Sequence, residues 1–196
     1  MSGWIDITRP MDESLVTWPG RPRPKRRWEK RISNGHHCNV SFWELSAHSG
    51  THMDAPLHFI EGGKTIDQIP PDVFIGECVV AEASAAPQHV GVKRLLLRTL
   101  GAGAPPFGSL MTEEDATALL NRGLVLIGTD RLSVDDSRGE SFRLHHLFLG
   151  AGCVIVEGLR MPTVETGPYF LTAMPLCWVG VEASPVRAFL QKVSGP

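Results

Sequence analysis

Seven short runs of apolar residues punctuate the chain: WIDIT near the start, NVSFWELSA at 39–47, ECVVAEA at 77–83, KRLLLRT at 93–99, LVLIGTD at 124–130, CVIVEG at 153–158 and LCWVGVE at 176–182. Each is too short for a typical helix and rich in β-branched or aromatic residues, so each is predicted to be a strand. Helical patterns are fewer. TEEDATALLNRG carries Thr112 as a cap, acids in the first turn, Asp115 at the reciprocal capping position and a closing Gly123. SPVRAFLQKV offers Ser184 as a cap with Pro185 at the first helical position, and RLHHLFLG offers a short helix ended by Gly150. Many strands and few helices predict an α+β fold, a mixed β-sheet with helices packed against it.

At 196 residues the expectation is one domain spanning 1–196, long enough to bury its own core. No internal repeat or linker divides it. Lys+Arg 19 against Asp+Glu 21 gives a net charge of -2, which does not favour nucleic acid. The exception is RPRPKRR at 21–27, with five positive charges; alternate prolines make it a solvated extended loop, and a polyanion-binding role is the competing reading. Cys38, Cys78, Cys153 and Cys177 form no C-x-x-C pair, and their apolar neighbours suit buried, reduced thiols. No basic leader precedes an apolar stretch, and no run approaches the ~18 apolar residues of a membrane span. The chain is therefore expected to be soluble and cytoplasmic, with no membrane partner.

The chemistry concentrates in AHSGTHMDAPLHF at 47–59. His48, His52, Asp54 and His58 all occupy even positions, which share one side of an extended chain. Gly50 and Pro56 introduce bends that either spoil this parity or tighten the cluster. Gly50 and Pro56 also disfavour a helix carrying His48 and His52 one turn apart. Imidazole nitrogen and carboxylate oxygen are the ligand set of catalytic zinc and related ions, and H-x3-H-x-D delivers three from one segment. Three protein ligands leave one coordination position open, the arrangement that lowers the pKa of bound water toward about 7. The bland alternative is a set of separately hydrogen-bonded turn and core residues.

HSGTHMDAPLHF resembles the H-x-G-T-H-x-D-x-P-x-H motif of the cyclase-like metal-dependent hydrolases, a family that includes bacterial kynurenine formamidase and isatin hydrolase. WIDITRPM, TWPG, GTDRLSVDD at 128–136, HHLFLGAGCVIVEGL at 145–159 and EASPVRAFL at 182–190 resemble further segments in the same order, so the likeness spans nearly the whole chain. The resemblance implies a swivelling β/β/α fold and a homodimer or larger assembly. It makes His48, His52 and Asp54 ligands of one divalent metal, Zn2+ with Mn2+ as the alternative. Asp54 would bridge to a second ion held by His145 and Glu157, whose twelve-residue interval matches the family and leaves His146 as a non-ligating neighbour. His58 is similar to the family's catalytic histidine, a general base and then acid; a ligand or ligand-orienting role is its alternative.

The implied reaction is hydrolysis of an amide C–N bond in a small molecule, such as N-formylkynurenine giving kynurenine and formate, or isatin-type opening of a lactam or other cyclic amide or lactone. A metal-binding module without catalysis is the other class. Formamidase-type members usually carry an acid after the early Pro-Gly, where this chain has Arg21, a residue suited to a substrate carboxylate. Trp18 and Trp28 flank the basic segment and form either an aromatic wall for a planar substrate or packing against the sheet. Asp130, which ends LVLIGTD, is expected to support the site or the fold. HHC at 36–38 follows a turn signal and is expected to be a surface loop; His89 is expected to face solvent.

Overall fold

The computed structural model describes residues 3–89, 91–99, 109–136, 138 and 141–193. Its strands are β1 (Trp4–Asp6), β2 (Lys25–Lys30), β3 (Val40–Glu44), β4 (His52–Asp54), β5 (Ile75–Glu82), β6 (Arg94–Arg98), β7 (Leu126–Thr129), β8 (Val154–Glu157), β9 (Gly167–Pro175) and β10 (Ala183–Lys192). Its α-helices are α1 (Pro71–Phe74), α2 (Glu113–Leu120) and α3 (Arg143–Gly150). One sheet runs β1-β10-β4-β8-β7-β6-β5-β9, and a further pairing of β9 with β10 closes it into a ring with β1 attached outside. β5 to β8 are parallel neighbours and the remaining pairs of this sheet are antiparallel, so the sheet is mixed.

The parallel strands are apolar on both faces, and this explains their unbroken hydrophobic runs. Leu96, Leu126, Val154 and Val156 point into one core with Leu171, Ala173, Ala188 and Leu190. The alternate residues Leu95, Leu97, Ile127 and Ile155 point into a second core against Ala116 and Leu119 of α2 and Leu144 and Phe148 of α3. α2 begins as its sequence predicts: the Thr112 hydroxyl accepts from the Asp115 N–H at 3.1 Å.

Three segments depart from the sequence reading. SPVRAFLQKV is not a helix but most of β10, with Val186, Ala188 and Leu190 buried. That period of two outweighs the Ser-Pro cap signal, because the residues between must face away from the core. LCWVGVE is the connection into β10 rather than a strand; Leu176 and Val179 are exposed. The true strand there is β9, whose Gly167, Pro168 and Pro175 disguise it. RPRPKRR is solvated except for the buried Pro24, but from Lys25 onward it pairs with β3 as an exposed ribbon on which Arg26 lies over Trp28 and Trp43. Trp28 therefore belongs to this ribbon. His36, His37 and Cys38 lie in an exposed loop, and His89 is half-buried.

Topology places β4 between β8 and β10, with His52 opposite Glu157 and Asp54 opposite Ala183. Segments far apart in sequence thus meet at one end of the ring. The approach is close: a Cβ on Gly158 would lie 2.3 Å from the Gly50 carbonyl oxygen, and Gly158 has φ 68°. Thr51 hydroxyl donates to the Gly158 carbonyl at 2.7 Å and stitches the same contact.

Candidate metal centre

Only His52 and Asp54 of the motif lie on a strand. A turn ending in Gly50, at φ 68°, turns His48 back toward them, and a 3-10 turn over Pro56–His58 returns His58 to the same side. Gly50 and Pro56 therefore tighten the cluster. His145 enters from α3 and Glu157 from the end of β8, so all six predicted ligand or catalytic residues meet.

At the centre is Asp54, fully buried, with neither carboxylate oxygen accepting a hydrogen bond. Burying a charged group without such partners is costly unless another cation is supplied. Imidazole nitrogens surround it instead: His48 Nδ1 at 2.9 Å and His52 Nε2 at 3.5 Å from Oδ1, and His145 Nε2 at 3.8 Å from Oδ2. Glu157 adds a second carboxylate, 3.6 Å from His52 Nε2 and 3.4 Å from His145 Nε2. Its Oε1 accepts from the Val134 N–H at 2.8 Å, which fixes its orientation.

Two rings have their tautomers set by acceptors outside the cluster. His52 Nδ1 donates to the Gly50 carbonyl at 3.1 Å, and His145 Nδ1 donates to Asp135 Oδ2 at 2.6 Å. Each leaves Nε2 as the nitrogen that faces the carboxylates, the one that ligates once its proton is displaced by a metal. Burial works against charge on His145, but Asp135 and then Glu157 outweigh it and raise its pKa to about 10. His48 shows the same balance with Asp54 and Glu182, and is also raised. The cluster is thus rich in negative charge and N/O donors, and it fits a divalent ion. The ligand atoms of His48, Asp54 and His58 lie within 4.8 Å of one another, as do those of His52, Asp54 and Glu157. Asp54 is common to both groups, as the resemblance implies, but both groups differ from the expected sets: the first contains His58 in place of His52, and the second contains His52 in place of His145.

His58 stacks at 4.2 Å, centroid to centroid, on His48. Burial, followed by the neighbouring His48 and His145, lowers its pKa to about 4 against the opposing pull of Asp54. It lines a cavity of about 260 Å³ beside the cluster, with Trp18, Arg21, Phe59 and Phe142. Phe59 and Phe142 stand 5.4 Å apart and Trp18 lies 6.2 Å from Phe142, so one wall is aromatic. Phe142 holds φ 42°, a left-handed conformation that a bulky residue rarely adopts.

Sequence reading did not single out Asp135, Glu182, Phe59 or Phe142. Asp135 stands beside Asp136 in SVDD, too far ahead of the predicted helix for a local capping signal. Glu182 reaches His48 Nε2 at 3.2 Å from the start of β10. Asp130 supports the fold by accepting from the N–H and hydroxyl of Thr99 at the end of β6. No helix of the described residues is long and apolar enough to cross a membrane.

Comparison with known proteins places the chain in a family. Residues 5–106 match the model of the Cyclase family, described as "Putative cyclase". Kynurenine formamidase of Salinibacter ruber is 34% identical over 209 residues, covering 98% of this chain and 99% of that protein. A solved "predicted metal-dependent hydrolase" from Bacillus stearothermophilus superposes with TM-score 0.75 at 28% identity, covering 95% of this chain and 97% of the other. Isatin hydrolase A from Labrenzia aggregata shares the fold, with TM-score 0.73 at 21% identity over 95% of this chain and 92% of the other. With family model, near full-length relatives and fold in accord, the chain belongs to the Cyclase family of metal-dependent hydrolases.

Proposed function

We propose that this chain is an arylformamidase-type amidohydrolase, a single catalytic domain that cleaves the C–N bond of a small aromatic amide, with N-formylkynurenine yielding kynurenine and formate. The observation that carries the reading is Asp54, buried without a hydrogen bond among His48, His52 and His145. The near full-length likeness to kynurenine formamidases supports the substrate class.

His48, His52 and Asp54 would hold one divalent ion, with Asp54, His145 and Glu157 available to a second; zinc suits this donor set and manganese is the alternative. Such an ion supplies a Lewis acid for the scissile carbonyl and lowers the pKa of water. The protein does the rest. Phe59, Phe142 and Trp18 receive the aromatic ring and exclude water from one side of it. His58, at the cavity wall, takes a proton from the attacking water and delivers it to the departing nitrogen, so that water adds across the C–N bond and the amine leaves neutral. We place the enzyme in the cytoplasm as a homodimer or larger assembly.

The same wall would accept the fused ring of a lactam, and the isatin hydrolase fold likeness keeps lactam opening as the second reading. Metal content of the purified protein, measured together with turnover of N-formylkynurenine and isatin before and after chelation, tests both. Metal-bearing protein active on the formamide and silenced by chelator is the expected result. Protein that retains no supplied ion, or whose turnover survives the removal of every ion, would overturn the proposal.

A further inference from the structure

Trp18 and Arg21 are the two ends of one tight turn. The Arg21 N–H donates to the Trp18 carbonyl at 3.0 Å, with Pro19 second and Gly20, at φ 80°, third. Pro followed by a left-handed Gly is the sequence of a type II turn. The Thr17 hydroxyl donates to the Arg21 carbonyl at 3.1 Å and holds the backbone from the other side. This turn delivers an indole and a guanidinium together to the cavity that contains the histidine and carboxylate cluster.

Several arginines elsewhere have partners. Arg98 pairs with Glu82, Arg143 with Glu113 and Arg187 with Asp6, while Arg9 and Arg94 bind backbone carbonyls. Among the described residues the Arg21 guanidinium has no acceptor, and it is the one permanent side-chain cation lining this cavity. The single carboxylate in the lining, Glu157, faces His52 and His145 and is 4% exposed. A planar fork of donors in a cavity that has an aromatic wall suits a ligand that is itself aromatic and anionic.

We infer that Arg21 anchors a carboxylate carried by the substrate away from its scissile amide, making the preferred substrates aromatic amides that bear an anion. The inference rests on the amide-hydrolase reading and narrows it. The carboxylate could be on a side chain, as in N-formylkynurenine, or on the ring, as in 2-formamidobenzoate; the neutral reference is formanilide.

The test compares kcat/KM for these three amides in the wild type, Arg21→Gln, Arg21→Lys and Arg21→Glu. The expected result is a wild-type preference for an anionic amide over formanilide, reduced about tenfold or more in Arg21→Gln through KM rather than kcat, partly kept by Arg21→Lys and inverted by Arg21→Glu. The better of the two acids identifies where the carboxylate sits. An unchanged anionic-to-neutral ratio in Arg21→Gln overturns the inference. If none of the amides is turned over, it is the hydrolase reading that fails, and calorimetric titration still reads the anchor. There, 2-aminobenzoate should bind Arg21→Gln about tenfold more weakly than wild type while aniline does not discriminate; equal binding of 2-aminobenzoate by both proteins overturns it.

Discussion

Asp135 Oδ2 accepts from His145 Nδ1 at 2.6 Å, and the same carboxylate accepts from the N–H groups of Leu144 and His145 at 3.0 Å. One side chain therefore caps the first turn of α3 and sets the ring that this helix presents to the cluster. Asp135→Asn keeps an oxygen for capping but weakens the acceptor for His145. Affinity for the bound ion is expected to fall about 10- to 100-fold, measured by competition against a chelator of known strength. Wild-type affinity in this variant would remove Asp135 from the site.

His58 separates two roles. As proton carrier, its replacement by Asn lowers kcat by about 10²- to 10⁴-fold with ion stoichiometry unaltered. Elemental analysis alongside single-turnover rates decides the matter. If the ion is lost with the activity, His58 is a ligand, as its grouping with His48 and Asp54 also permits.

Gly158 and Gly123 form a matched pair for the packing of the motif against β8. Both have positive φ, but a Cβ at Gly123 meets nothing within 4 Å, whereas at Gly158 it meets the Gly50 carbonyl oxygen at 2.3 Å. Gly123→Ala is expected to lose about 1 kcal/mol, the conformational term alone. Gly158→Ala should lose clearly more and also bind less metal, because Gly50 lies between His48 and His52. Urea unfolding of both variants checks this; equal midpoints would refute the close approach.

The thiols divide evenly. Cys38 and Cys177 are exposed, while Cys78 and Cys153 are buried. Burial pushes the Cys78 thiol up to about 12, with Arg94 opposing, and raises Cys153 as well. At pH 8 the native protein should react with DTNB at two cysteines quickly and at the others only on unfolding. Four fast thiols would contradict the two-core packing.

The parts of this molecule that could be read in advance are those where one local pattern has one physical outcome. Arg94–Arg98 and Val154–Glu157 are apolar on both faces because they are covered on both, and Thr112 caps because its neighbours are helix formers. The motif announced His48, His52, Asp54 and His58 through ligand chemistry, and the resemblance added His145 and Glu157. SPVRAFLQKV misled because Ser-Pro is a genuine helix opener, whose preference is outweighed only once β4, β1 and β9 pair with the segment. Asp135 and Glu182 left no periodic trace, since their partners are supplied by tertiary approach rather than by spacing along the chain.

The placement of β4 between β8 and β10 carries a consequence for biosynthesis. Residues 48–58 are translated well before Glu157 and before β10, the strand that flanks β4 on its other side. A nascent chain therefore carries the imidazoles of the motif before Glu157 and the strands that hold β4 on either side have been made. A chain stopped before β8 would lack one carboxylate of the cluster and both strands that flank β4.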